Sequence, residues 1–224
     1  MGMIKYPPAV ALFLLSLLLI RLGFVLAAEQ HLLFSEKKRL QVEQLYGTEV
    51  AQRLSRWQAF VNKNQYKPEQ EKLSLTNDFF NQQLLWISDL KLWKQKDYWA
   101  TPIETLIKSA GDCEDFTIIK YFTLISLGVP AKHLRLTYVK ALKYNQAHMV
   151  LTYSKKRHQV PLVLDNINKK ILPASQRTDL KPVYSFNGEG MWLQSKKKLG
   201  KKVGSSSRIR LWTDLRKRMK KELY

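Results

Sequence analysis

The chain has 224 residues, of which 38 are lysine or arginine and 18 are acidic, so its formal net charge is +20. This length accommodates one domain with a proper core plus extensions. The single cysteine, Cys113, excludes an intramolecular disulfide, and the sequence contains no zinc-binding spacing of cysteine and histidine.

The first 28 residues have the pattern of a secretory signal peptide. Lys5 precedes an apolar run over residues 9–20, and residues 25–28 end in the small side chains of a cleavage site. Arg21 interrupts the apolar stretch and argues against a spanning helix of roughly 20 residues; an uncleaved membrane anchor is the alternative. We therefore expect an exported, periplasmic protein with a net charge of +18 after cleavage. Export disfavours nucleic acid as the partner of this charge.

Helical periodicity dominates the first part of the remaining chain. Residues 35–63 are predicted to form one amphipathic helix, whose buried face consists of Val50, Leu54, Trp57 and Val61. Residues 74–78 offer N-cap side chains and predict the start of a second helix, which carries Phe79, Phe80, Leu84 and Leu85. Pro102 then opens a short helix through Ile107. Between these helices lie Trp93, Tyr98 and Trp99, whose spacing fits either core packing or a wall of an active-site cleft.

The sequence Gly111-Asp112-Cys113-Glu114-Asp115-Phe116 marks the predicted start of the next helix, which Gly128 and Pro130 end. A thiol in the first turn of a helix is favoured as thiolate by the free N–H groups and the macrodipole, whereas the neighbouring carboxylates favour the thiol. We therefore expect an offsetting partner, either a histidine or a bound cation. The alternative is a buried core thiol beside acids that only complement the helix dipole.

After Pro130 the period of the apolar pattern changes to two. Strands are predicted at residues 134–139, 147–153 and 160–164, with a hairpin at Asn145-Gln146 and shorter strands at 183–186 and 191–193. Helices followed by an antiparallel sheet predict an α+β fold.

Residues 194–224 form a basic C-terminal extension with a net charge of +10. An apolar stripe runs along its last part, formed by Trp212, Leu215, Met219 and Leu223. The extension is either a solvated, partly disordered end or a basic amphipathic helix that contacts a membrane of anionic lipid or an acidic partner.

Cysteine catalysis needs a base and a third group that orients the base. His148 lies inside a predicted strand, and Asp165 ends the next one, where a carboxylate would be costly unless hydrogen-bonded. Cys113 at a helix start, His148 on one strand and Asp165 on the next follow a papain-like order, with Asn166 as a reserve orienting residue. A purely structural role for His148 in the core is the alternative. The other histidines lie near the cleavage site, in a loop and in a basic turn (His31, His133 and His158).

Segments between residues 77 and 192 carry a family resemblance, in order and with consistent spacing. They are Tyr98-Trp99-Ala100-Thr101-Pro102, Gly111-Asp112-Cys113-Glu114-Asp115, Lys120-Tyr121-Phe122, Leu127-Gly128-Val129-Pro130, Leu134-Arg135-Leu136, Tyr138-Val139-Lys140, Ala147-His148-Met149-Val150-Leu151 and Leu162-Val163-Leu164-Asp165-Asn166. Together these segments resemble the bacterial transglutaminase-like cysteine peptidases of the periplasmic LapG type. The basic extension lies outside the resemblance.

The resemblance implies a papain/transglutaminase-like α+β fold with N-terminal helices packed on an antiparallel sheet. The predicted domain organisation is a signal peptide at 1–28, a peptidase domain at 29–193 and the basic extension at 194–224. Cys113 would be the nucleophile, His148 the general base and acid, and Asp165 the residue that fixes its tautomer. The family cleaves the N-terminal region of a large surface adhesin, typically between two alanines, and so promotes biofilm dispersal. Its members require calcium and are held inactive by an inner-membrane cyclic di-GMP receptor of the LapD type.

Asp112, Glu114 and Asp115 are the residues that the resemblance implies for calcium, and their chemistry supports the same ion. Three acids within four residues are hard oxygen ligands, and a divalent cation would offset their repulsion of a thiolate. Carbonyls, waters or other side chains would have to complete the six to eight oxygens that calcium prefers. For the oxyanion hole we expect the backbone N–H of Cys113 and a donor from residues 93–99.

Two other functions fit the same residues. If an amine attacks the acyl-enzyme in place of water, the reaction is transglutamination. A catalytically idle, exported binding protein that uses the basic tail and its aromatic surface is the second alternative.

Overall fold

Three helices open the part of the chain that the computed structural model describes, which comprises residues 33–156, 159–195 and 198–223. They are α1 (Glu36–Tyr46), α2 (Thr48–Asn64) and α3 (Glu69–Gln83). The predicted single helix over 35–63 is wrong, because Gly47 adopts a φ of 88° that only glycine accepts readily and that separates α1 from α2. The predicted buried face of α2 is confirmed. The predicted signal peptide lies outside the described residues.

Helix α3 begins earlier than its N-cap pattern predicts. Pro68 precedes its first turn, and Glu69 and Glu71 in that turn complement the helix dipole. Residues 74–78 therefore lie inside the helix, and Leu84 and Leu85 lie beyond its end. The predicted start is wrong because tertiary packing of Leu73 and Phe80, both fully buried, extends the helix in the N-terminal direction.

The middle of the chain contains α4 (Asp89–Leu92), α5 (Pro102–Lys108) and α6 (Cys113–Ser126), together with two short strands. The strands, β1 (Leu85–Trp86) and β2 (Ala110–Gly111), pair in parallel just before α6. Helix α5 starts at Pro102 as predicted, because Thr101 caps it by accepting a hydrogen bond from the Glu104 N–H at 3.2 Å. Helix α6 is surrounded by other elements and has fully buried side chains on several faces, including Ile118, Ile119 and Leu124.

A seven-stranded sheet follows, with the strand order β6-β5-β4-β3-β7-β8-β9. All the pairings within it are antiparallel. Its strands are β3 (Leu134–Ala141), β4 (Gln146–Tyr153), β5 (Leu162–Leu164), β6 (Leu172–Pro173), β7 (Leu180–Asn187), β8 (Gly190–Ser195) and β9 (Lys198–Gly204). The α+β prediction is confirmed. Strands β6 and β9 have no alternating apolar pattern and were not predicted.

The last helix, α7 (Arg210–Leu223), packs on α6 and on the sheet. Trp212 is buried and stacks on Phe122 with ring centroids 5.7 Å apart, and Leu215 is fully buried. Residues 34–224 therefore form one compact unit. The boundary predicted at residue 193 falls inside β8, and Trp212 and Leu215 of the basic extension are part of the core. Within the described residues, the structure has no helix that is both long and apolar enough to cross a membrane.

Candidate active site

The start of α6 is held by the buried carboxylate of Asp115. Its Oδ1 accepts a hydrogen bond from the Ala100 N–H at 2.8 Å, and its Oδ2 accepts one from the Asp112 N–H at 3.3 Å. A Cβ atom on Gly111 would lie 2.5 Å from Asp115 Oδ2, so a larger residue cannot fit there without displacing this carboxylate. The Gly111–Asp115 sequence is thus a structural unit that presents Cys113 in the first turn of the helix.

Cys113 lies between this acidic turn and β4. The Thr117 hydroxyl bridges the carbonyl of Cys113 at 2.8 Å and that of Met149 at 3.1 Å, which ties α6 to β4. The thiol donates a hydrogen bond to Glu114 Oε2 at 2.9 Å. Burial, and then the charge and hydrogen bond of Glu114, raise the pKa of Cys113 well above its ordinary value. With Glu114 in this position, the thiol is the favoured form.

His148 and Asp165 form a buried pair on the strand side of the contact between α6 and β4. His148 Nε2 lies 2.8 Å from Asp165 Oδ1, and both residues are about 2 % exposed. Since Asp165 engages Nε2, Nδ1 is the ring nitrogen left for the thiol. His148 directly precedes Met149, whose carbonyl accepts a hydrogen bond from Thr117, four residues after Cys113. In this structure the thiol donates its hydrogen bond to Glu114 rather than to His148. For His148 to take its proton, the thiol must therefore rotate away from Glu114.

Asp165 is fixed by cations and backbone donors as well as by His148. Its Oδ1 also accepts a hydrogen bond from the Ile167 N–H at 3.0 Å, and its Oδ2 accepts one from the buried Arg177 at 2.7 Å. Arg177 is itself held by Asp179. Burial alone would raise the pKa of Asp165, but the hydrogen bonds and charges of His148 and Arg177 hold it well below its ordinary value. Asp165 is therefore a fixed anion that orients the imidazole.

A buried lysine, Lys120, donates a hydrogen bond to the backbone of Asp165. Lys120 Nζ donates to Asn77 Oδ1 at 2.9 Å, to Asn81 Oδ1 at 2.8 Å and to the Asp165 carbonyl at 3.1 Å. Asn81 also donates to the Asp165 carbonyl, at 2.9 Å. Burial lowers the pKa of Lys120 to about 7, against the opposing charges of Asp165 and Asp78. These contacts connect the centre of α6 to the backbone of Asp165.

Five carboxylates cluster around the start of α6. Ligand atoms of Asp89, Asp112 and Asp115 lie within 4.8 Å of one another, and so do those of Asp89, Asp97 and Glu114. Burial, opposed by the Tyr98 N–H, raises the pKa of Asp89 to about 6, and burial with the charge of Glu114 raises that of Asp112 to about 8. Burial is the larger cause of both shifts, and repulsion between the carboxylates adds to it.

This cluster fits a hard divalent cation. Among the described residues, Asp89 Oδ1 and Asp112 Oδ1 are buried without a hydrogen-bond partner. A buried oxygen without a partner costs free energy, and a cation would satisfy both oxygens and remove the repulsion. Asp89 and Asp97 would join the sequence-predicted acids in the ligand shell.

The structure brings most of the predicted site residues together. Asp165, not the reserve residue Asn166, hydrogen-bonds His148, and His133 lies near Glu69 at 3.5 Å. His31 and His158 lie outside the described residues. In the predicted aromatic stretch, Trp99 is buried and stacks on Phe186, so this residue belongs to the core. The oxyanion-hole donor expected from residues 93–99 stays a prediction.

Sequence reasoning missed Asp89, Asp97, Lys120 and Arg177 as parts of the site. Asp89 and Asp97 flank the aromatic stretch and come near Glu114 only through tertiary folding. Lys120 was part of a family segment, and its position among apolar helical residues was the signal that could have identified it. Arg177 follows a 3-10 turn over Ala174–Gln176 and carries no local pattern.

A thiol at the start of a central helix, beside a histidine–aspartate pair on adjoining strands of an antiparallel sheet, defines a cysteine peptidase of the papain and transglutaminase type. The sequence model of the bacterial transglutaminase-like cysteine proteinases matches residues 48–197. The chain belongs to that family, and it is a cysteine peptidase.

Solved structures give the same result. LapG from Legionella pneumophila, treated with EGTA, is 43% identical, with a TM-score of 0.73 over 82% of this chain and 96% of that one. Calcium-bound LapG from the same organism is 42% identical, with a TM-score of 0.72 over 83% of this chain and 99% of that one. A comparison with curated protein sequences gave no significant match.

Proposed function

We propose that the protein is a calcium-dependent periplasmic endopeptidase that cleaves the N-terminal region of a large surface adhesin, near an Ala-Ala bond, and so promotes biofilm dispersal. The observation that carries the proposal is the buried His148–Asp165 pair together with Cys113, whose thiol donates a hydrogen bond to Glu114 of the carboxylate cluster. Similarity to a LapG that binds calcium supports the choice of ion.

The chain's own residues supply the steps of peptide cleavage. His148 removes the thiol proton, and the sulfur of Cys113 attacks the scissile carbonyl, which forms a tetrahedral oxyanion. Collapse of that oxyanion breaks the C–N bond, while the imidazolium of His148 donates its proton to the leaving amine. Water activated by His148 then hydrolyses the thioester. Asp165 stays ionised throughout and holds the imidazole in one orientation.

Calcium would be held by Asp112, Glu114 and Asp89, with Asp97 and Asp115 next to them. When bound, it supplies positive charge that offsets these carboxylates near the thiol. Glu114 links the ion to the nucleophile, because its Oε2 accepts the hydrogen bond that the Cys113 thiol donates. Engagement of Glu114 as a ligand would free the thiol for His148.

Export and control complete the proposal. The signal-peptide pattern of residues 1–28 supports a periplasmic location. We further propose that an inner-membrane cyclic di-GMP receptor of the LapD type binds the enzyme and keeps it inactive, as the family resemblance implies.

The test is cleavage of a purified adhesin N-terminal fragment by the chain without residues 1–28, with added calcium or with EGTA. Cys113→Ala and the calcium-site variant Asp112→Asn are measured beside the wild type. We expect calcium-dependent cleavage in the wild type, none in Cys113→Ala, and cleavage by Asp112→Asn only at raised calcium. Cleavage that EGTA leaves unchanged would refute the calcium dependence. Incorporation of an added amine without any cleavage would refute the endopeptidase and support acyl transfer.

A further inference from the structure

One face of the sheet carries a large groove that the catalytic steps do not use. Alternation along β3 places Arg135, Thr137 and Val139 on the face opposite to Leu136, whose partner Phe186 packs on Trp99 and Trp212. The groove on this outer face has a volume of about 1820 Å³ and extends from β5 across β4, β3 and β7 to β9. It is therefore on the side of the sheet away from the helices.

The rim of this groove is strongly basic. Six exposed lysines from different segments line it, namely Lys132, Lys155, Lys156, Lys181, Lys201 and Lys202. None of the salt bridges between described residues involves these six lysines. Glu189 is the one acidic residue of the described lining. Cations without an ion-pair partner that converge on a concave surface produce a positive potential and attract an anionic ligand.

The groove also offers apolar contacts. Val139, Val150 and Val163 form a buried cluster in its floor, and Leu180 packs against them. Leu142 and Val160, about half exposed, line its walls. Trp192 lies between Arg135, whose guanidinium carbon is 4.0 Å from the ring centroid, and Lys202, whose Nζ is 5.9 Å from it. A polypeptide with both acidic and apolar side chains fits this combination better than a flat bilayer, which cannot enter a concave face, or a glycan without apolar groups.

The groove leads to the catalytic pair. A smaller cavity of about 140 Å³ is lined by His148 and Asp165, and it shares Arg177 and Leu180 with the groove. His148 and Val150 are two residues apart on β4 and face the same side of the sheet. A chain bound in the groove is thus close to the His148–Asp165 pair, whereas Cys113 lines neither cavity.

We propose that this groove is an exosite that binds an acidic segment of the protein substrate, separate from the residues around the scissile bond. The proposal rests on the proposed function, because it assigns the occupant to the substrate of the same active site. Its contribution is to the capture of the substrate, since the six lysines do not contact the catalytic residues. It predicts that binding weakens with salt, because exposed charges are screened over about 8 Å at physiological ionic strength.

The test compares two double variants. The groove variant combines Lys181→Glu and Lys202→Glu, and the control variant combines Lys37→Glu and Lys63→Glu. The control makes the same change in net charge at exposed positions on α1 and α2. Two substrates are cleaved: the adhesin N-terminal fragment and a short neutral peptide that spans the scissile bond. For the fragment we expect the groove variant to raise KM about 10-fold at low salt with kcat unchanged, whereas 0.5 M salt removes most of the difference. For the short peptide both variants should equal the wild type.

A binding measurement separates this proposal from the proposed function. Cys113→Ala is titrated with a labelled 12-residue peptide of alternating glutamate and leucine, in the wild-type, Lys181→Glu/Lys202→Glu and Lys37→Glu/Lys63→Glu backgrounds. Salt-sensitive binding supports the exosite if the groove substitutions weaken it about 10-fold and the control substitutions leave it unchanged. This holds even if the adhesin fragment proves not to be a substrate. Equal binding in all backgrounds, or fragment cleavage with an unchanged KM, overturns it. Binding of a sulfated glycan but not of the acidic peptide would also overturn it.

Discussion

Replacement of Lys120 by methionine isolates the support that this residue gives to Asp165. Methionine keeps an unbranched apolar side chain of similar length but removes three hydrogen bonds from the Nζ atom. Asn77 Oδ1 and Asn81 Oδ1 lose their donor in a buried place, whereas the Asp165 carbonyl keeps the donor of Asn81. Each of the two acceptors left without a donor costs about 1–3 kcal/mol, and removal of the buried charge offsets part of this cost. We therefore expect the free energy of unfolding to fall by about 2–4 kcal/mol.

The catalytic consequence follows from the same contacts. Without Lys120 the backbone at Asp165 is less constrained, so the orientation of His148 is less well defined. We expect kcat for a short peptide to fall at least about 10-fold with KM nearly unchanged, because orientation errors of this kind act on the chemical step. The assay is steady-state cleavage at a temperature where urea unfolding shows both proteins to be fully folded.

A second buried lysine provides the control. Lys72 Nζ donates to the Leu127 carbonyl at 2.6 Å, at the far end of α6 from Cys113. Lys72→Met should lose stability by a comparable mechanism but retain kcat. If Lys120→Met and Lys72→Met showed the same kcat, the reasoning that Lys120 positions Asp165 would be refuted.

Three further predictions concern the acidic turn and the last helix. Gly111→Ala should lower both stability and activity, because the new Cβ would lie 2.5 Å from Asp115 Oδ2; thermal unfolding and peptide cleavage measure this, and wild-type values would contradict it. Calcium should raise the melting temperature of the wild type, and Asp89→Asn should reduce that shift, as calorimetry with and without EGTA can show. Burial raises the pKa of Glu222 to about 7, so the folded state binds more protons than the unfolded state between about pH 4.5 and 7, and stability falls as pH rises through this range. Glu222→Gln should show a smaller fall in the free energy of unfolding over this range, because the raised pKa of Asp89 still contributes to it, and an identical pH profile in wild type and variant would contradict the assignment.

The parts of the fold that have local signals could be predicted from the sequence. The bounds of α6 follow from its apolar spacing and from Gly128, whose φ of 84° ends the helix. Strands β3 and β4 could be predicted from their alternation of apolar and polar residues. In the structure the two strands pair in a register that places Val139 opposite His148. The residues Cys113, His148 and Asp165 could be selected because each lies at a position where its chemistry would be costly without a partner.

The remaining features depend on contacts between distant parts of the chain. Gly47 separates α1 from α2 by its backbone conformation, which the amphipathic pattern across residues 35–63 does not reveal. Strand β9 contains five basic or glycine residues among seven and pairs with β8 only because the sheet offers it an edge. Asp89 and Asp97 join the acidic cluster from a loop about 20 residues upstream of Cys113. Such encounters leave no periodic signal in the sequence.

The central claim is that Cys113 and His148 act as one catalytic unit in the calcium-loaded enzyme. The measurement that tests it most directly is kcat/KM for adhesin-fragment cleavage by Cys113→Ala, by His148→Ala and by the double variant. The account predicts that each single variant loses about 10⁴-fold or more and that the double variant loses no more than the worse single one, since residues of one unit are strongly non-additive. Cleavage by Cys113→Ala near the wild-type rate, or losses that multiply in the double variant, would contradict it.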